Sequence, residues 1–207
     1  MTTPKTPAPD GTGMSFEVGR RLVHASGAVI PAGYLLDTYV LELGILTWPV
    51  VQVIAVVGLV LTILLELARL YGGLEHAIYD RLTREYEQDS VAGYAMYVFS
   101  GAIVVLLFDP QIAVPALFML MLGDPISGLL STGELRKVKR PRVLVGMFVV
   151  CFLFAYPFVG TIVAVVGALG ATIADGVKPV IGEFVVDDNL TIPIAAAVPM
   201  WVVLTFL

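Results

Sequence analysis

The chain has 207 residues, 58% of them hydrophobic and only 14% charged, and its mean hydropathy is +0.91. Soluble domains average about 45–50% apolar and about 25% charged, so a water-soluble globular fold is excluded and an integral membrane protein is expected. The net charge is −5 and the pI near 4.9, with acids concentrated at Glu75, Asp80, Glu85, Glu87 and Asp89, a balance that suits a high-salt cytoplasm.

Residues 1–16 are rich in Pro, Thr and Gly and read as a disordered cytoplasmic tail. They lack the apolar core of a signal peptide. Residues 17–207 read as a single transmembrane domain. A spanning helix needs about 20 mostly apolar residues, with a range of about 17–25. Seven stretches qualify: 22–41, 48–70, 91–108, 111–130, 143–158, 160–177 and 190–207. The fifth and sixth are short and parted only by the turn around Pro157–Gly160, so a six-helix count stands as the alternative. The lone cysteine, Cys151, lies in an apolar run, which leaves no intramolecular disulfide and no Cys-based metal site.

Basic residues mark the cytoplasmic side. With seven helices and the N-terminus inside, all of them fall on one face. Lys5, Arg20 and Arg21 precede the first helix, and Arg69, Arg81 and Arg84 follow the second. Arg136, Lys137, Lys139, Arg140 and Arg142 follow the fourth, and Lys178 follows the sixth. The fold class expected is therefore an all-α polytopic bundle in the cell membrane.

Polar residues gather in the same cytosolic half. The stretch QIAVPALFMLMLGDPISG, 111–128, carries Asp124 roughly 10 Å inward from its helix end at 1.5 Å per residue. A charge at membrane depth costs about 2.5–3.5 kcal/mol on insertion scales. Asp124 is therefore either a helix-end cap or a group facing a cation or phosphate. Gly123 and Gly128 allow close approach of a ligand or backbone, and Pro125 can break the helix. In RRLVHASG, Arg20 and His24 lie four apart and share a face, as interfacial anchors or as a phosphate and proton-transfer pair. In ELAR, Glu66 and Arg69 form an i,i+3 pair. It is either a boundary ion pair or the source of a second carboxylate for a cation on Asp124, since Mg²⁺ needs only one or two carboxylates plus substrate phosphates. The run RKVKRPR serves topology and can also draw a polyanion to the site. GALGATIADGVKP offers small residues for tight packing, then Asp175 and Lys178. In VVDDNLTIP, Asp187, Asp188, Asn189 and Thr191 enter the last helix with Pro193 in its first turn, as capping groups or as a phosphate-binding terminus.

The order RRLVH, ELAR, LGDPISG, ATIADGVKP and DDNLTIP resembles the family of dolichol kinases, phytol kinases and CTP-dependent diacylglycerol kinases, over nearly the whole chain from Glu17. The resemblance implies phosphate transfer from a nucleoside triphosphate, usually CTP, to a membrane lipid alcohol of polyprenol or dolichol type, with Mg²⁺ or another divalent cation. Many relatives carry a Lys-Ser/Thr-x-Glu-Gly segment where this chain reads KRPRVLVGM, and Lys139, Arg140 and Arg142 are the basic residues available to replace its lysine. On this reading Asp124 holds the cation with Glu66 or Asp188. Arg20, Arg69, Lys139, Arg140, Lys178 and Asn189 face the nucleotide, and His24 or Asp175 receives the hydroxyl proton. Two alternatives are a cytidylyltransferase that makes a CDP-lipid and a small non-enzymatic carrier. No inverted repeat of the kind carriers often show and no nucleic-acid motif is found.

Overall fold

The computed structural model describes residues 19, 21–72, 90–131, 138–177, 180–181, 184–185 and 187–207. The N-terminal tail, Arg20, the acidic connection with Arg81 and Arg84, Arg136, Lys137 and Lys178 lie outside them.

The described residues are overwhelmingly helical. Helix α1, Val29–Leu36, continues into a π-turn, Asp37–Leu41, and is preceded by a helical segment over 21–26 with a turn at 27–28. The expected continuous first span is thus segmented. Glu42 closes it in a left-handed conformation (φ 51°). Buried Asp37 then gathers the loop, accepting backbone N–H groups from Leu43 (2.9 Å), Gly44 (3.1 Å) and Leu46. Helix α2 is Trp48–Tyr71, α3 is Gly93–Leu107 and α4 is Pro110–Phe118. A second π-turn, Met119–Gly123, joins α4 to α5, Asp124–Leu130. Helix α6 is Pro141–Gly176, and α7 is Asp188–Phe206. Between them, Val180–Ile181 pairs antiparallel with Phe184–Val185 as a minimal hairpin.

Among the described residues four helical runs are long and apolar enough to cross a membrane: Trp48–Tyr71, Pro110–Leu130, Pro141–Gly176 and Asp188–Phe206. The third is not one rod. A straight helix of its 36 residues would be about 54 Å long, yet its two ends touch. Lys139 N–H donates to Gly176 O at 3.1 Å, and a Cβ on Gly176 would lie 2.3 Å from the Leu144 side chain. The fold-back occurs at Gly160, whose φ of 73° and ψ of −178° suit only glycine. The break expected there from Pro157–Gly160 is the turn of a helical hairpin.

Prolines shape the interior by withdrawing donors. Pro125 does not end its helix as expected, because the wider π-turn just before it carries the chain onward. Pro193 sits past the first turn of α7 and cannot supply the N–H that Asn189 O would accept. The buried Ser100 hydroxyl of α3 donates to that oxygen instead, at 2.6 Å. Pro199 likewise withholds the helical donor of Ala195 O. That carbonyl faces Gly170 so closely that a Cβ there would sit 1.8 Å away. Gly167 gives similar room to Met200, so small residues let the second limb of α6 lie directly on α7, as the sequence suggested. The main core is lined by Met119, Leu120, Met147, Cys151, Ile192 and Met200, all fully buried.

Candidate functional site

Three carboxylates far apart in sequence meet in space. Asp124 starts α5, Asp175 ends α6 and Asp188 starts α7, and each offers an oxygen such that all three lie within 4.8 Å of one another. Asp175 is completely buried, Asp188 nearly so, and Asp124 partly. Local folding explains each placement. The π-turn ends at Gly123, where Met147 and Cys151 pack against the missing side chain, and this seats Asp124 at the turn's exit. Asp187, not Asp188, caps α7, its Oδ1 accepting from Asn189 N–H at 2.8 Å. That leaves Asp188 free of the capping task. Asp188 and Asn189 are both buried within the first turn of α7.

Asp175 is held on both oxygens. Lys139 Nζ donates to Oδ1 at 2.6 Å, and Ser127 Oγ donates to Oδ2 at 2.7 Å. Lys139 Nζ also lies 3.0 Å from Ser127 Oγ. The Lys139 backbone is clamped to the end of α6 by its bond to Gly176 O and by the bridge between Val138 and Val177. Arg140 supplies the residue before α6, as its N-cap.

His24 is brought to the same place. Its Nε2 is 3.2 Å from Leu120 O and 3.8 Å from Asp124 Oδ2. A carbonyl can only accept, so Nε2 carries the proton in that contact. Tyr97 packs edge-on against the imidazole at 4.5 Å and donates its hydroxyl to His24 O at 2.9 Å. Arg21 lies over Gly128, where a Cβ would come 3.2 Å from its Nε. The close approach that Gly128 permits is therefore made by a guanidinium.

Glu66 and Arg69 belong elsewhere. Arg69 Nε and Nη2 donate to Glu66 Oε1 and Oε2 at 3.0 and 2.8 Å, and Nη2 also donates to Ser90 O at 2.6 Å. Tyr94 hydroxyl and Ala92 N–H complete the shell of Glu66. This knot sits at the start of α3, whereas Asn189 meets α3 at Ser100, about 12 Å further along the helix. Glu66 is therefore not among the grouped carboxylates, which are Asp124, Asp175 and the alternative Asp188. Glu66 is saturated by four donors that hold α2 to α3.

Two buried oxygens next to the carboxylates have no hydrogen-bond partner among the described residues: Asn189 Oδ1 and Thr172 Oγ1. Asn189 adjoins Asp188, and Thr172 stands one turn before Asp175. Buried polar atoms are nearly always paired, so this end of the bundle has unused acceptor capacity. At the other end of the α4–α5 run, about 20 Å from Asp124, a cleft of about 820 Å³ is lined by residues including Tyr34, Tyr39, Pro110, Gln111 and Phe158.

The donor set fits a hard divalent cation. All three candidate ligands are carboxylate oxygens, and opposite ligands of Mg²⁺ at 2.0–2.1 Å lie about 4.2 Å apart, comparable to the 4.8 Å span of the three oxygens. Of the residues singled out in the sequence, His24, Asp124, Lys139, Asp175, Asp188 and Asn189 come together. Arg20 and Lys178 lie outside the described residues. Ser127, Ser100 and Tyr97 were not anticipated. Ser127 stands in the LGDPISG motif, and its spacing from Asp124 was the signal available. Comparison with family models, with curated proteins and with solved structures returned no match.

Proposed function

We propose that this chain is a lipid-alcohol kinase that transfers the terminal phosphate of a nucleoside triphosphate, CTP first, to the hydroxyl of a polyprenol- or dolichol-type alcohol. The observation that carries the reading is the convergence of Asp124, Asp175 and Asp188 from three separate helices within 4.8 Å. Acids grouped inside an apolar bundle draw positive charge, as Asp175 does from Lys139, and a divalent cation would meet the same demand. The motif resemblance supplies the reaction.

On this reading the chain spans the membrane seven times with its N-terminus inside. The fold-back at Gly160 divides Pro141–Gly176 into two limbs, and the one-sided distribution of basic residues sets the orientation. The site then opens to the cytoplasmic face of the cell membrane. The lipid chain lies among the apolar helices and brings its hydroxyl to the polar layer. Asp124, Asp175 and Asp188 would hold Mg²⁺, which would supply neutralising charge for the triphosphate. Phosphoryl transfer asks mainly for positioning and charge stabilisation. Lys139 and Arg21, with Arg20 and Lys178, supply positive charge toward the transferring phosphate. Arg69 is committed to Glu66 and takes no part. His24, 3.8 Å from Asp124, is the side chain placed to receive the hydroxyl proton. Asp175 is fully engaged by Lys139 and Ser127 and serves as a ligand.

The test offers γ-labelled CTP and ATP to purified protein in lipid with dolichol, geranylgeraniol and a diradylglycerol. Labelled lipid appearing with CTP and Mg²⁺ is the expected result. No labelled alcohol, together with a diphosphate-linked product from a lipid phosphate, would replace the kinase by a cytidylyltransferase.

A further inference from the structure

The cation-binding reading above leaves a question about Asp175. Both of its oxygens are taken, Oδ1 by Lys139 Nζ at 2.6 Å and Oδ2 by Ser127 Oγ at 2.7 Å. Asp175 is wholly buried, whereas the Lys139 side chain is 20% exposed, so the ammonium reaches the acid from the solvent side. It is fixed over Asp175 by the backbone bond from Lys139 N–H to Gly176 O, one residue beyond the acid. A cation on Oδ1 must take that oxygen from Lys139 or share it, whereas Oδ2 carries the neutral Ser127 hydroxyl. Two positive charges on one carboxylate oxygen repel. The lysine has a flexible four-carbon stem and an exposed route away.

We propose that Lys139 is a cation surrogate: its ammonium occupies Asp175 until a divalent cation enters, and then swings to the phosphates that arrive with that cation. The proposal rests on the cation reading of the three carboxylates. It makes cation and polyphosphate binding mutually reinforcing. Entry of the cation releases Lys139 for the anion, and by linkage the anion holds Lys139 away from Asp175. Asn189 Oδ1 and Thr172 Oγ1, on residues one and three positions from Asp188 and Asp175, are also buried without partners among the described residues.

The experiment measures Mn²⁺ binding to the full chain in nanodiscs, with and without CTP or pyrophosphate, for wild type, Lys139→Gln and Lys139→Arg. Couplings between sites commonly fall in the range of about 5- to 150-fold. Lys139→Gln is expected to bind Mn²⁺ about tenfold tighter than wild type without nucleotide and to lose most of the tightening that CTP gives the wild type. Lys139→Arg keeps the charge and stays within about threefold of wild type. A second measurement needs no variant. Amine-reactive labelling of wild type, read by mass spectrometry, is expected to rise at Lys139 with Mn²⁺ alone and fall again when pyrophosphate is added.

Equal or weaker Mn²⁺ binding by Lys139→Gln overturns the surrogate role and leaves the cation reading intact. So does Mn²⁺ occupancy of wild type that does not change Lys139 labelling. Absence of Mn²⁺ binding in every protein removes the cation reading and this inference together. The expected coupling with no phosphorylated alcohol upholds the inference while rejecting the kinase.

Discussion

Among the described residues two buried ionic clusters stand out, and they are built on opposite plans. At the α2–α3 contact a single carboxylate, Glu66, meets a bidentate Arg69 from its own helix, with Tyr94 and Ala92 N–H filling the remaining sites. Charge and hydrogen bonds balance within the knot. At the other cluster three carboxylates from three helices crowd within 4.8 Å, with Lys139 and Ser127 on Asp175 and His24 3.8 Å from Asp124. The first plan minimises the cost of a charge at a membrane boundary. The second raises that cost by bringing like charges together. The contrast is one of plan: the first cluster closes one acid with donors from two neighbouring helices, whereas the second gathers acids from three helices around a lysine.

The largest effect expected from breaking the comparison is at the acidic side. Asp124→Asn or Asp188→Asn changes few atoms but removes a ligand charge. Each should abolish phosphate transfer, at least 100-fold in rate, or about 2.7 kcal/mol or more of barrier, while the protein still inserts and folds. Transfer assays on membrane-extracted protein, beside its thermal midpoint, measure both. Retained activity in both variants would remove the acids from the chemistry.

The Glu66 knot should answer in the opposite currency. Removing one partner of a buried pair leaves the other charge uncompensated and costs about 3–5 kcal/mol. Glu66→Ala should therefore lower stability by that order in reversible unfolding in mixed micelles, while folded protein keeps wild-type Mn²⁺ affinity. A loss of Mn²⁺ affinity with normal stability would instead return Glu66 to the metal site.

How far the sequence showed this division depends on sequence distance. Glu66 and Arg69 are one turn apart, so their pairing was open to inspection as a boundary ion pair. Ala92 and Tyr94, which complete it, lie 26 and 28 residues from Glu66 and belong to no recognisable spacing. The helices themselves were visible as apolar lengths, and the turn near Gly160 as a glycine after a proline. Asp124 was singled out because a charge in apolar surroundings needs a reason, and Asp188 as a helix-start residue that the family resemblance offers as a ligand. Their meeting with Asp175 was not visible, because it depends on how α5, α6 and α7 pack. The Ser127–Lys139–Asp175 contacts span up to 48 residues, and Lys139 read equally well as topology signal or phosphate ligand. The π-turn that carries the chain past Pro125 has no local signature beyond the proline itself.

A smaller effect tests what holds the acidic cluster in register. A Cβ at Gly170 would sit 1.8 Å from Ala195 O, a backbone atom that cannot rotate away. Gly170→Ala should force α6 from α7 at about 3 kcal/mol, the upper end of the usual overpacking cost. Because Asp175 and Asp188 ride on those two helices, Mn²⁺ affinity should fall with stability. Unchanged affinity would show that the acids are set by their own turns and not by the helix contact.

The smallest effect isolates Asp188 from the rest. Pro193 deprives Asn189 O of its helical donor, and Ser100 Oγ replaces it across the bundle at 2.6 Å. Ser100→Ala leaves that carbonyl buried without a partner, at about 1–2 kcal/mol within the usual penalty for such groups. Ser100 touches neither Asp188 nor any other acid of the cluster in the bonds described; its removal perturbs the backbone one residue beyond Asp188 and a longer contact to Tyr97 O at 3.2 Å within its own helix. Mn²⁺ titration of Ser100→Ala should show a few-fold weakening, and Ser100→Thr, which retains a donor, should recover most of it. The Glu66 knot, tied to the start of the same helix, should be indifferent to both changes. Equal Mn²⁺ affinity in the wild type and the alanine variant would mean that the start of α7 is rigid without Ser100, and that Asp187, capping Asn189 N–H at 2.8 Å, suffices to place Asp188.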